Sequence, residues 1–195
     1  MKEILSSFGS EFLRPLLTLF LPGALGCTPL AVCVLSRFKD LRDYAAADHA
    51  EAIATFALTS TFLGFIFDSL GSQVEDRWDG AAGEEHRENW YLYLRLAFEK
   101  EPVGHRYLRT VLLHLKFELG CFVACVVAIP SIAFCPGSLW TRLGLIVFAG
   151  AGAVYFYRDG HDSHKLLGDI RKELLRGLNP SPKVRSAAAT QSQSS

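Results

Sequence analysis

Four stretches of this chain are too long and too apolar to be comfortable in water, and they limit the fold more than any motif does. Residues 16–35 carry no charge, residues 52–70 none before Asp68, residues 119–134 none, and residues 139–157 only Arg142. A helix crossing a hydrocarbon core of about 30 Å needs roughly 20 apolar residues, whereas the apolar runs of buried helices in soluble cores reach only about 10–14. The chain is therefore expected to be an all-α polytopic membrane protein. Its four transmembrane helices, at about 16–35, 52–70, 115–134 and 139–157, belong to one bundle covering 1–178. A soluble helical bundle is the alternative, and the length of the first two runs counts against it. Cleavage of the first run as a leader is not expected, because it exceeds the roughly 7–15 apolar residues of a signal core and no small-residue site follows it.

The third span needs extra length. Its uncharged part, 119–134, makes a helix of only about 24 Å, and Pro130 and Pro136 crowd one end. The helix must borrow residues 115–118, which draws Lys116 and Glu118 to the membrane margin. Lys116 can extend its charge to the headgroups along its own stem. Glu118 is shorter and needs a partner or water.

Half of the residues are hydrophobic and mean hydropathy is +0.20 although 21% are charged, so charge and apolarity occupy different segments. Lys and Arg together equal Asp and Glu at 20 each, which argues against nucleic-acid binding through bulk charge. Their distribution sets orientation. Placing the N-terminus, the segment between the second and third spans and the tail on one side puts sixteen Lys and Arg there and four opposite. Both ends are thus expected in the cytoplasm, in a plasma or inner membrane. The middle cytoplasmic segment, about 72–114, is near the size below which a domain seldom folds without staples. An autonomous enzyme domain does not fit.

Within the spans, Pro22 and Pro29 each remove a helix hydrogen bond, so a kinked or partly broken first helix, with these prolines as its hinge, is expected. Gly120, Ala124 and Ala128 follow one another at four-residue spacing, as do Ala149 and Ala153. Such small residues let helices approach closely, either inside one bundle or at a homo-oligomer seam. Cys27, Cys33, Cys121 and Cys125 read as small apolar side chains. Cys135 stands alone at the outer surface, so neither a disulfide nor a metal framework is expected.

Asp68, His114, Lys116 and Glu118 form a candidate polar cluster at the membrane rim, and His114 and Glu118 share a helix face. Ionisable groups at such depth raise the prospect of a proton relay or cation site, against which stands a simple solvated rim. Arg106, Arg109 and Lys116 form a basic stripe suited to lipid phosphates or another anion. Residues 84–100 read as an amphipathic helix, with Trp90, Tyr91, Leu94 and Phe98 on one face, and a new helix is expected from near Gly104.

Beyond the fourth span, His161 and His164 are weak metal candidates without a fixed third ligand. Asp162 or Ser163 reads better as the N-cap of a separate cytoplasmic helix over 163–178. The tail, 179–195, has a disordered composition. No catalytic residues and no cofactor are expected. Membrane lipids, further copies of the chain and a cytoplasmic protein are the expected partners. The favoured function is a non-enzymatic, oligomeric membrane subunit of channel-like, effector or scaffold type. A small proton- or cation-coupled transporter and a membrane-embedded metal enzyme are the alternatives.

Overall fold

The computed structural model describes residues 2–83 and 105–178, with side chains for 18–81, 83 and 107–173. Those residues are helical throughout apart from short connections. They form α1 (Lys2–Arg37), α2 (Lys39–Ala47), α3 (His49–Ala82), α4 (His105–Phe134) and α5 (Leu139–Leu178). Segments of α1, α3, α4 and α5 are each long and apolar enough to cross a membrane. The expected helix over 84–100 and the tail over 179–195 lie outside the described residues.

The helices overrun the apolar runs that announce them. α3 continues past Asp68 through Ala82, and Gly83, at φ 88°, ends it. α5 is one helix of 40 residues, so the separate helix capped at Asp162 or Ser163 does not exist. Those residues sit mid-helix, because nothing in 158–164 disfavours helix strongly enough to stop a segment already nucleated. The connection between the first two apolar runs contains α2, a nine-residue helix without a buried residue. Phe38 is extended between α1 and α2. Asp48 starts α3 by accepting the Glu51 amide at 3.1 Å, and Tyr44 donates its hydroxyl hydrogen bond to Glu51, tying α2 to α3.

Among the described helices α4 is the axis. Leu115, Leu119 and Ala124 are fully buried along it, and α1, α3 and α5 all pack on it. The register follows from small residues meeting larger ones. Gly71 of α3 lies against Leu119, Phe67 packs with Val123 and Ala124, and Lys116 reaches Glu75, so α3 and α4 are antiparallel. Cys125 faces Gly152, and Ala128 packs with Ala149, which sets α5 antiparallel to α4. α1 runs parallel to α4, with Pro22 seated on Gly120 and Gly26 beside Ala124. Gly120, Ala124, Ala128, Ala149 and Ala153 are all buried within a single chain.

The prolines do not interrupt α1, which runs unbroken from Lys2 to Arg37. Pro22 is one of the most deeply buried side chains, filling the space that Gly120 leaves. Thr28 donates its hydroxyl to the Ala24 carbonyl at 2.7 Å just before Pro29. At the other end of the bundle the final carbonyls of α4 are capped by arginines, as unpaired helix-end carbonyls favour. Arg37 donates to Phe134 O at 3.2 Å and Arg142 to Ala133 O at 3.4 Å. This accounts for the one charge inside the fourth apolar run.

The bundle is apolar outside and selectively polar inside. Phe62 is 67% exposed and Phe148 78%, while Ser60, Glu118 and His164 are buried. An apolar groove of about 800 Å³ separates α1 from α5 where both rest on α4, lined by Leu25, Val32, Leu145 and Phe148 among others.

The turn between α4 and α5 gives Cys135 a neighbour that the sequence concealed. Its thiol donates to the Pro29 carbonyl at 3.7 Å, one helical turn before Cys33 on α1; burial first, and the nearby Cys33 second, push the Cys135 thiol above the ordinary thiol range. Treatment with copper phenanthroline should therefore join the pair, two thiols giving two electrons and two protons to the oxidant. The joined protein should migrate faster on non-reducing gels, and Cys33→Ser should abolish the shift. An unaltered mobility in the parent protein would contradict the placement of the α1 end beside the turn.

Candidate functional site

The polar groups of the described residues gather where α4 begins, α3 ends and α5 continues past its apolar run. Each α-helical residue turns about 100°, so His114 and Glu118 share one face of α4 and Lys116 looks away from it. The structure separates them accordingly. Lys116 Nζ lies 2.9 Å from Glu75 Oε2 and donates to Ser72 Oγ at 2.7 Å, while Ser72 donates to the Asp68 carbonyl at 2.9 Å. Asp68 thus contributes a backbone oxygen on the α3 side, and the potential ion-holding group among the described residues is His114, Glu118 and Asp159 without it.

The other face of α4 meets α5. Glu118 is 1% exposed. His114 Nε2, one turn earlier, stands 3.0 Å from Glu118 Oε1, on a ring that is largely exposed. Asp159 and Ser163, themselves one turn apart on α5, face the same carboxylate. One ligand-type atom from each of His114, Glu118 and Asp159 lies within 4.8 Å of the others. Both Glu118 oxygens are shut off from solvent. A buried ionised carboxylate is costly unless paired or coordinated, and a second carboxylate beside it raises the demand for positive charge.

A groove of about 530 Å³ opens on this cluster, lined by Thr18, Tyr107, Thr110, His114, Phe117 and Ser163 among others. It gives the His114 side of the cluster a route from outside the bundle.

His161 and His164 serve a different contact. His164 Nε2 is 2.7 Å from Asp79 Oδ1, joining α5 to α3. Trp78 lies between the helices, its ring 5.1 Å from His161, 5.6 Å from His164 and 5.4 Å from Tyr157. Among the described residues the potential ion-holding group is His114, Glu118 and Asp159, and neither His161 nor His164 belongs to it.

Of the expected basic stripe, the structure describes two side chains. Lys116 is occupied by α3, Arg109 is exposed, and the Arg106 side chain lies outside those described. Sequence reasoning missed Glu75, Trp78, Asp79 and the alliance of Asp159 with Glu118. The α3 residues carried a signal, since Gly71, Glu75, Trp78 and Asp79 keep helical spacing beyond the apolar run. No family model, curated protein or solved structure matches this chain.

Proposed function

We propose that the protein is a non-enzymatic multipass membrane protein, an oligomeric subunit of channel-like, effector or scaffold type that couples a cytoplasmic helical arm to a four-helix membrane bundle. The observation that carries this reading is the unbroken course of α5. Its 40 residues make a rod of about 60 Å, roughly twice the thickness of a hydrocarbon core. The half beyond Tyr157 is fastened to α4 through Asp159 and Ser163 and to α3 through His164 and Asp79. A displacement of the arm is thereby transmitted to the spans without a hinge. The distribution of Lys and Arg assigns this arm and both termini to the cytoplasm. The apolar groove between α1 and α5 suits lipid acyl chains. Cation-coupled transport is the second reading, favoured by the buried Glu118. Against it stands the largely apolar half of α4 beyond Gly120, where Val123, Ala124, Ala128 and Ile132 are buried alongside Ser131.

The test is reconstitution of the purified full-length chain. In lipid nanodiscs, light scattering should give more than one copy per particle. In liposomes the chain should dissipate neither a proton nor a sodium gradient. A monomer that carries a saturable cation flux would replace the subunit reading with the transporter.

A further inference from the structure

We propose that His114, Glu118 and Asp159 bind a divalent transition-metal ion, with zinc as the best-fitting member of that class. The inference does not depend on the functional reading above, because it rests on the donor set and on the burial of Glu118 within it.

One imidazole and two carboxylates are the borderline-to-hard nitrogen and oxygen donors that zinc accepts at about 2.0–2.2 Å, and three protein ligands leave a fourth position open. Calcium and magnesium prefer sites made wholly of oxygen. The edge of a tetrahedron with such bonds is about 3.4 Å. The His114–Glu118 separation of 3.0 Å is close to that, and since the three atoms lie within 4.8 Å of one another, Asp159 has to close by at most about 1.4 Å. The helical frame supplies the pre-organisation: His114 and Glu118 sit one turn apart on α4, and Asp159 and Ser163 one turn apart on α5.

The second, independent observation is the state of Glu118. Its side chain is 2% exposed and both oxygens are inaccessible, so the groups that face them are His114, Asp159 and Ser163. His114 Nε2 approaches one oxygen to 3.0 Å without pointing a hydrogen along the line between them. Two lone-pair atoms held side by side in this way are arranged for a shared third atom. An ion of charge +2 would also balance the two carboxylates that α4 and α5 press together. Ser163 faces Glu118 and, with water, is the natural occupant of the fourth position. The groove beside His114 and Ser163 provides the entry path.

The experiment uses the full-length chain purified in detergent and stripped of metal with a chelator. Zinc alone is titrated against a chromogenic competitor, and cobalt(II) is added in parallel to report geometry. The parent protein should take up one equivalent of zinc per chain, and cobalt should give the intense visible bands of a four-coordinate site. His114→Ala removes a largely exposed ring, so it tests binding without threatening the fold, and it should weaken zinc by at least about 100-fold. Asp159→Asn and Glu118→Gln should do the same, while the metal-free Glu118→Gln protein melts no lower than its parent. His161→Ala should bind zinc as the parent does. Absence of saturable zinc binding in the parent would overturn the proposal. So would parent-like affinity in His114→Ala and Asp159→Asn, or a loss confined to His161→Ala and His164→Ala.

Discussion

Gly23→Ala and Gly64→Ala should each unfold the bundle at markedly lower denaturant or temperature than the parent, although each adds only one methyl group. A Cβ at Gly23 would fall onto the carbonyl oxygen of Ser60, and a Cβ at Gly64 onto that of Leu19. The obstacles are backbone atoms, which no rotamer change can move. The α1–α3 crossing must widen, which withdraws Pro22 from Gly120 and Gly26 from Phe67 as well. Overpacking of a fitted interior typically costs about 1–3 kcal/mol, and a clash with fixed backbone belongs at or above the upper end. The two sites occupy one crossing, so the double variant should lose less than the summed losses of the singles. Gly144→Ala and Gly150→Ala provide the control. Neither new methyl meets any atom within 4 Å, and replacing a mid-helix glycine by alanine is worth about 0.5–1 kcal/mol of stabilisation. Thermal unfolding in detergent, followed by circular dichroism, checks all five proteins.

Phe62→Arg and Phe148→Arg should prevent stable insertion into the membrane, by an effect comparable in size and different in origin. Both rings are largely exposed in the middle of the apolar runs of α3 and α5, Phe148 on the rim of the α1–α5 groove. Because both side chains are largely exposed, a water-soluble bundle would accept the substitutions and become more soluble. In lipid, an arginine at a helix centre costs about 2.5–3.5 kcal/mol on insertion scales, in addition to the loss of the apolar ring. Both variants should be depleted from the membrane fraction and degraded, while Lys165→Ala, on the exposed polar arm, should accumulate normally. Parent-like levels of Phe62→Arg in the membrane would place that face elsewhere than in lipid.

What the sequence discloses about this fold is the part governed by solvent. Four apolar runs are legible because lipid demands a fixed length of apolar helix, and the structure has a helix at each. Helix ends are not legible in the same way. The apolar run of α3 ends near Asp68 because its surroundings become polar, yet the backbone hydrogen bonds continue to Ala82. Asp162 and Ser163 look like a helix start because their side chains can cap amides. In the unbroken α5 the Ser163 hydroxyl faces Glu118 instead. Pro22 reads locally as a lesion, and only its seat on Gly120 shows why a proline is tolerated there.

The candidate site divides along the same line. His114 and Glu118 are legible as a pair because four residues make one helical turn. Asp159, 41 residues away from Glu118 in the chain, joins them through the register between α4 and α5. That register is set by small residues such as Ala128, Ala149 and Gly152 meeting across the interface, which no local pattern reveals. Asp68 was grouped with the cluster on its depth alone, and the three groups that come within 4.8 Å of one another do not include it. Cys33 and Cys135 are brought together for the same reason, by the parallel run of α1 along α4.

The central claim is that the apolar faces of α3 and α5 look into lipid rather than water. Nitroxide labels on single cysteines at positions 58, 62 and 148, in a background where the five native cysteines are replaced, report this directly in reconstituted liposomes. The account predicts frequent collision with dissolved oxygen and almost none with a water-soluble nickel chelate at all three positions. A label at position 165, on the polar arm, should show the reverse. Ready quenching of positions 62 and 148 by the nickel chelate would contradict the membrane bundle and the orientation drawn from it.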